Sequence, residues 1–391
     1  DPAHAQQKSQ TAAGRRNPLI AEENAKAGSL DWQLTRVRLD KNGGHRAPAI
    51  EGYCSRQSVK AGETLDFMIS VNPDAKFLFE VFRTGYYGGR GARLMMKEGP
   101  IPGTKQADPP VGENRLRECK WVPVISFKIP SISFKIPSIW PSGVYLARLT
   151  TVPDKALEPY WQSYIIFIVR DDRPADILFQ CSDNTWQAYN KWPDNYSLYT
   201  DPRGAHAPGV AVSFDRPYGK YAQIYEHPLS LGSGEYLLWE FPLAYWLEQH
   251  GYDVTYCSNA DCLDAANLTR CKTFLSVGHD EYWDPRQYDA VKSAIASGTN
   301  ALWLSGNSVF GVTPFSPSSS RAPNRILQRT GIYAGLTDKE IEDALSVFTK
   351  EWKRDQRNEA DIIGARSIVP FNGGGDWTCT KPDHWIFEGT G

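Results

Sequence analysis

The chain has 391 residues, of which 41% are hydrophobic and 23% are charged, and its formal net charge is −2. This composition can build packed cores, so it excludes a disordered tail and a fibre. The missing basic excess argues against a nucleic-acid partner, and the best apolar run, Tyr164 to Val169, is too short to predict a membrane span. The length favours two domains.

The N-terminal segment, residues 1–29, is polar and has no apolar periodicity. We interpret it as a loosely held arm. The chain starts at Asp1 without methionine, which is typical of a mature protein whose signal segment has been removed. This predicts a periplasmic or secreted location; the alternatives are an arbitrary cut in the chain and a cytoplasmic protein.

Residues 30–172 contain short alternating or apolar segments separated by glycine and proline, as expected for antiparallel strands. The strand candidates are 64–71, 76–83, 144–151 and 163–169. No helix is predicted, so we expect an all-β, immunoglobulin-like sandwich domain. Inside it, ISFKIPS at 125–131 recurs at 132–138, a tandem copy too short for a repeat fold, to which we assign no function.

Residues 173–391 alternate strands with helices, which predicts an α/β domain with a mostly parallel sheet. The predicted strands are 175–181, 252–257, 273–277 and 301–307. The predicted helices are 241–251, 285–298 and one that opens after Cys181, where Ser, Asp and Asn suit a helix start.

Three of these strands bring mostly polar residues to their carboxyl ends. Strand 175–181 gives Cys181, Asp183, Asn184, Trp186 and Tyr189, strand 273–277 gives His279, Asp280 and Glu281, and strand 301–307 gives Ser305, Gly306 and Asn307. Because ligands bind beyond the carboxyl ends of strands in open α/β sheets, we expect a functional site at this edge. His279 and Glu281 suit paired acid–base work. The same segment is also explained as a polar turn in which an aspartate caps the next helix and the histidine bonds to the backbone.

The seven cysteines form no CxxC motif, so the pattern of a zinc ribbon is missing. Cys257 and Cys262 are close enough in sequence for a local disulfide in an oxidising compartment. Cys181, at a strand end, is a candidate nucleophile, but a buried structural cysteine is the favoured interpretation.

Several segments occur in order over about residues 45–391: VFRTGYYGGRGARLM, WPSGVYLARL, NTWQAYN, SLYT, VSFDRPY, GYDVTY, SVGHDEYWD, SGN and the closing WIFEGTG. Taken together, they resemble the N,N-dimethylformamidase large (beta) subunit family. The resemblance implies an amidohydrolase domain with a glutamine-amidotransferase-like α/β fold. It also implies a small amide substrate, a mononuclear iron as Fe(III), and a small partner subunit or a homo-oligomer.

The same resemblance implies the iron ligands, which fall on Tyr189, Tyr199 and Glu281, with Tyr196 as the alternative to Tyr199. Two phenolates and a carboxylate are hard oxygen donors, and such donors suit Fe(III).

The resemblance places further catalytic residues beside these ligands. His279 falls where it would transfer a proton, and Asn307 where it would bond the carbonyl oxygen as charge develops. Asp280, between His279 and Glu281, is a third catalytic candidate.

These observations predict an iron-dependent hydrolase of C–N amide bonds, in which metal-activated water attacks the amide carbonyl. The alternatives are a non-catalytic secreted binding or assembly protein on the same fold, and an enzyme with Cys181 as nucleophile. Members of the family carry a further acidic residue beyond W-x-F-x-G-T-G, and the sequence stops at Gly391 inside that motif, so we expect the chain to be a fragment.

Overall fold

The structure is a computed structural model. It describes residues 17–40, 44–124, 133–135, 140–155, 157–220, 228–333, 337, 339–340, 353–366 and 378–388. The duplicated ISFKIPS segment lies outside the described residues except for 133–135, and so does the N-terminal arm before residue 17.

In the N-terminal part, the described residues form one α-helix and two sheets. The elements are α1 (Pro18–Asn24), β1 (Ile50–Cys54), β2 (Ser58–Lys60), β3 (Thr64–Val71), β4 (Ala75–Thr84), β5 (Ala92–Gly103), β6 (Ser133–Lys135), β7 (Gly143–Val152) and β8 (Gln162–Arg170). The sheet orders are β1–β3–β6 and β2–β8–β7–β4–β5. Neighbouring strands are antiparallel, except that β2 pairs parallel with β8.

Apolar side chains of both sheets form one core. The Phe67 ring of β3 lies 4.9 Å from Phe79 in β4 and 5.5 Å from Phe167 in β8, centroid to centroid. Burying apolar area between sheets is the main stabilising contribution here. The four predicted strands are confirmed, and the described residues of 30–172 contain no α-helix, only the 3₁₀ turns Tyr87–Gly89 and Glu113–Arg115. An immunoglobulin-like sandwich stays a prediction.

The rest of the chain is mixed α/β. Its elements are β9 (Ile177–Gln180), α2 (Asp183–Tyr189), β10 (Ala211–Ser213), α3 (Tyr236–Trp239), α4 (Phe241–Gln249), β11 (Val254–Cys257), α5 (Ala265–Thr269), β12 (Thr273–His279), β13 (Tyr282–Trp283), α6 (Pro285–Ala296), β14 (Asn300–Gly306), β15 (Gly311–Val312), β16 (Phe315–Ser316), β17 (Ile326–Gln328), β18 (Gly331–Ile332), β19 (Lys353–Arg354) and α7 (Ala360–Ile363). Further 3₁₀ turns span Pro228–Ser230, Asn259–Leu263 and Trp385–Phe387.

The central sheet has the order β11–β9–β12–β14, and all its strands are parallel, as predicted. Two smaller sheets, β10–β17–β16 and β13–β15–β18–β19, lie outside it. The predicted strands and helices of this part are present within a few residues of their expected bounds. The glutamine-amidotransferase-like assignment and the division at residues 172 and 173 stay predictions.

The described part of the N-terminal arm is docked, and our prediction of a loose arm is wrong for helix α1. Ile20 is 1% exposed. Asn24 donates from Nδ2 to Glu248 Oε2 over 2.8 Å, and its Oδ1 accepts the backbone N–H groups of Tyr86 and Tyr87. The sequence pattern does not predict these contacts, because they are made by a single apolar side chain, Ile20, and by the amide group of Asn24.

All seven cysteines are free thiols, so the suggested local disulfide is not formed. The sulfur atoms of Cys257 and Cys262 are 3.6 Å apart, and both residues are buried. The periplasmic or secreted location stays a prediction. Within the described residues, no helix has the length and apolar character required to cross a membrane.

Candidate active site

The carboxyl edge of the parallel sheet brings three segments together. Gln180 of β9 is aligned with Ser276 of β12, and His279 at the end of β12 is aligned with Gly306 of β14. Strands β12 and β14 therefore end at the same level of the sheet, and β9 ends three residues earlier, opposite Ser276. The predicted site residues lie in or just beyond these strand ends, or on α2 and the segment after it.

Helix α2 holds the loop that follows β12. The Thr185 hydroxyl oxygen accepts the backbone N–H of Glu281 over 3.0 Å, and Asn184 Nδ2 donates to the carbonyl oxygen of Tyr282 over 3.0 Å. Since Tyr189 is the last residue of the same helix, these bonds fix its ring relative to Glu281.

Tyr189, Tyr199 and Glu281 form one hydrogen-bonded cluster. Glu281 accepts hydrogen bonds from both phenols, from Tyr189 over 2.7 Å and from Tyr199 over 3.0 Å, one at each carboxylate oxygen. The two phenolic oxygens are 2.8 Å apart, and the rings stack at 4.4 Å between centroids. The alternative ligand, Tyr196, lies elsewhere, with its ring between the guanidinium groups of Arg115 and Arg117.

The electrostatics of this cluster keep the phenols protonated when no cation is present. Burial, and then the charge of Glu281, raise the pKa of both Tyr189 and Tyr199 far above the ordinary value of tyrosine. The two phenolic oxygens and the carboxyl group of Glu281 thus lie within hydrogen-bond distance of one another. Within the described residues there is no group of three or more His, Cys, Asp or Glu side chains suited to a metal ion.

His279 and Asn307 stand beside the cluster. The Nε2 atom of His279 is 3.1 Å from Glu281 Oε2, and the Nδ2 atom of Asn307 is 3.5 Å from the same imidazole nitrogen. Asn307 has a positive φ of 48°, which turns the chain back after β14. The structure therefore brings the five residues Tyr189, Tyr199, His279, Glu281 and Asn307 to one place; their roles stay predictions.

Asp280 points away from this group. Its Oδ2 atom accepts hydrogen bonds from Gln180 Nε2 over 2.6 Å and from Ser276 over 2.7 Å, and its Oδ1 atom accepts from Asn259. The side chain is fully buried. Asp280 thus pins the turn between His279 and Glu281 to the sheet beneath.

The sequence did not identify three further residues at the site. The hydroxyl of Tyr282 contacts that of Tyr199, the guanidinium carbon of Arg329 lies 5.4 Å from the centroid of the Tyr199 ring, and Glu235 Oε2 lies 3.9 Å from His279 Nδ1. The position of Tyr282 directly after Glu281 could have signalled it. Arg329 and Glu235 are far away in sequence and have no recognisable motif.

Cys181 does not meet the needs of a nucleophile. Its side chain has no exposed surface. Burial, and then the charge of Glu240, raise the pKa of its thiol well above the ordinary value, so the reactive thiolate is disfavoured. The structural interpretation of this cysteine is supported.

Comparison with known proteins gives one family match. A sequence model described as "N,N-dimethylformamidase beta subunit-like, C-terminal" matches residues 78–391. The matched range begins within β4 and includes every predicted site residue. No curated protein matches the chain significantly.

Proposed function

The chain belongs to the N,N-dimethylformamidase beta subunit-like family, and from this premise we propose that it hydrolyses a C–N amide bond of a small substrate. The observation that supports the proposal most strongly is the Tyr189–Tyr199–Glu281 cluster, whose oxygen atoms are 2.7 to 3.0 Å apart at the carboxyl edge of the sheet. This edge is where α/β folds bind ligands.

We propose that the cluster holds a mononuclear iron, as Fe(III). Each phenolic oxygen lies 2.7 to 3.0 Å from a different oxygen of the Glu281 carboxyl group, and the two phenolic oxygens are 2.8 Å apart, so a single ion would have both phenols and the carboxyl group within reach. Two phenolates and one carboxylate would balance the charge of a hard trivalent ion. The residues present therefore fit the metal.

The chemistry divides between the metal and the chain. When bound, iron would polarise the amide carbonyl as a Lewis acid. His279 Nε2 is directed to the cluster and would accept a proton from the attacking water. The side-chain N–H of Asn307 would donate to the carbonyl oxygen as negative charge develops on it. Asp280 would act indirectly, by holding the turn that carries His279 and Glu281.

The family description names a subunit, which supports a partner subunit or a second copy of the chain in the active assembly. We propose a small amide as substrate because the cluster is enclosed by aromatic side chains. Tyr199 and Tyr282 lie with ring centroids 6.3 Å apart, and Tyr189 and His279 with centroids 5.2 Å apart.

The test is amine release from a panel of small formamides and acetamides by the iron-loaded protein. Tyr189→Phe removes one oxygen donor and is expected to lower turnover by about 100-fold or more. Tyr245→Phe is the matched control: its ring packs on Tyr86 and Phe241, away from the cluster, and turnover should be unchanged. Failure of the iron-loaded protein on the whole panel, or full activity of Tyr189→Phe, would contradict the proposal.

A further inference from the structure

Glu235 lies in the turn before α3, and close packing fixes the backbone of this turn. Gly232 has a φ of +86°, and a Cβ there would lie 1.9 Å from the carbonyl oxygen of Tyr164. Gly234 has a φ of +58°, and a Cβ there would lie 2.9 Å from the Trp186 side chain. Only glycine permits the backbone to come this close to Tyr164 and Trp186. The backbone position of Glu235 is therefore fixed by packing.

The carboxyl of Glu235 is buried without a hydrogen-bond partner. The residue is 3% exposed, and neither of its carboxyl oxygens has such a partner among the described residues. The 3.9 Å between its Oε2 and His279 Nδ1 is too long for a hydrogen bond. A buried polar group left in this state is unfavourable, so we looked for a partner that only a bound molecule would supply.

Glu235 borders a cleft that also reaches the proposed iron site. Tyr189, a proposed ligand, and the aromatic side chains of Trp186 and Tyr218 line this cleft together with Glu235. His279 stands between the two acidic residues, with Nε2 toward Glu281 and Nδ1 toward Glu235. The cleft is narrow, with space for about one water molecule, so a substrate whose carbonyl oxygen meets the cluster would place its nitrogen at the mouth of the cleft, within reach of Glu235 directly or through that water.

We propose that Glu235 is the general acid of the reaction and gives its carboxyl proton to the leaving nitrogen. This inference rests on the proposed function. The oxygen of water bonds to the carbonyl carbon and one of its protons passes to His279; the C–N bond then breaks, its electron pair stays on nitrogen, and nitrogen takes the proton of Glu235. The products are a carboxylic acid and a free amine, and exchange with solvent restores both residues.

The surroundings of Glu235 favour the protonated form that a general acid needs. Burial raises the pKa of its carboxyl well above the ordinary value, and the charges of Glu240 and Glu281 act in the same direction. Lys220, which is also buried, lines the same cleft, so burial is the main effect that keeps this acid neutral at pH 7.

The experiment compares leaving groups in the iron-loaded protein. The substrates are amides of one acid with a series of amines. Alkylamines are strongly basic and leave only when their nitrogen is protonated, whereas 4-nitroaniline is weakly basic and depends much less on that proton. Glu235→Gln is expected to lower kcat by about 100-fold or more for the alkylamides and by less than about 3-fold for the nitroanilide. The iron content of the variant is expected to equal that of the wild type, because Glu235 is not a ligand.

The matched control is Glu240→Gln. Glu240 is equally buried, but its Oε1 atom accepts hydrogen bonds from Trp186 Nε1 over 2.7 Å and from the backbone N–H of Ser182 over 3.2 Å, and only its Oε2 atom has no hydrogen-bond partner among the described residues. Any loss in this variant should be the same for all leaving groups. Glu235→Leu gives the same test if the glutamine variant does not fold.

Two results would overturn the inference, and they differ. An equal loss in Glu235→Gln across the whole series would show a structural role for Glu235 while leaving the proposed function in place. A wild-type protein that takes up iron but hydrolyses none of the amides would overturn the proposed function and the general acid together.

Discussion

Glu281 is the residue on which the candidate site depends. It accepts hydrogen bonds from two phenols and lies 3.1 Å from His279, so one carboxylate links the predicted ligands to the predicted base. Its backbone N–H is held by Thr185, and its carbonyl oxygen accepts the N–H groups of Phe310 and Gly311. These bonds fix the backbone of Glu281, and the contacts of its carboxyl group with both phenols and His279 restrict its rotamer, as a site for metal or acid–base chemistry requires.

Asp183, the first residue of α2, provides a pH-dependent prediction. Burial raises the pKa of its carboxyl from 3.8 to about 8. The unfolded chain loses this proton near pH 4, so between about pH 4 and 8 the folded state holds one proton more, and its stability falls as pH rises by about 1.4 kcal/mol per unit. Asp183→Asn should remove this part of the slope in urea unfolding at pH 5, 6 and 7. Identical slopes for both proteins would contradict the prediction.

At the residue scale, motif and resemblance pointed to three residues that the structure brings together, Tyr189, Tyr199 and Glu281, and the packing explains what they missed. The SLYT segment favours Tyr199 over Tyr196, and of these two tyrosines it is Tyr199 that donates a hydrogen bond to Glu281. Asp280 was grouped with its neighbours, yet successive residues in an extended segment point to opposite sides, and its carboxylate faces the core. Glu235 was not predictable, because a partnerless buried acid is a property of three-dimensional packing.

At the scale of single elements, α2 and the segment after it depend on one buried arginine. The guanidinium of Arg216 donates to the carbonyl oxygens of Gln187, Asn190, Trp192 and Tyr196, and it is 1% exposed. Burial lowers its pKa to about 9, so it stays charged at neutral pH, where a cation at a helix C-terminus is favourable. This network connects the helix of Tyr189 to the loop of Tyr199.

Arg216→Met should therefore weaken the packing that holds Tyr189 and Tyr199 in place. We expect a loss of at least about 2 kcal/mol in the free energy of unfolding, since several buried carbonyl groups lose their donor. Iron affinity should also fall, because the two phenolic oxygens are no longer held together. Arg203→Met, in the same loop but largely exposed, serves as the control. Unfolding and iron titration check both effects, and a tight iron site in Arg216→Met would contradict this account.

The elements themselves were predictable where a period is long enough to detect. Strand β3 matches the predicted residues 64–71, and α4 and α6 begin at the predicted residues. Strands of two or three residues, such as β13 and β15, are too short to show an alternation of apolar and polar residues. They form because of tertiary contacts with neighbouring strands. The helix α1 was missed because its amphipathic pattern contains a single buried apolar side chain, Ile20.

At the scale of the whole molecule, a buried ion pair joins the antiparallel sheet to the α/β part. Arg83 of β4 donates to Glu248 of α4 over 2.8 and 3.0 Å, and both side chains are fully buried. Tyr87, Tyr256 and Asn24 add hydrogen bonds to the same pair. Contacts between residues so distant in sequence could not be predicted from local patterns.

Replacing one member of this ion pair should lower the free energy of unfolding more than replacing both members. Glu248→Gln leaves the Arg83 charge buried and unpaired, and we expect a loss of about 3 to 5 kcal/mol. The double variant Arg83→Met with Glu248→Gln should be less destabilised than Glu248→Gln alone, as measured by urea unfolding of the two single variants and the double variant in one double-mutant cycle. Additive losses would show that the two charges do not interact.

The central claim is that Tyr189, Tyr199 and Glu281 form an iron site, and iron binding followed by visible absorption tests it most directly. Titration of purified protein with Fe(III) should give near-stoichiometric iron and a charge-transfer band from tyrosinate to iron. The band should persist in Tyr245→Phe and disappear or weaken strongly in Tyr189→Phe and Tyr199→Phe. A colourless protein that takes up no iron, or a band unaffected by both phenylalanine variants at the site, would contradict the account.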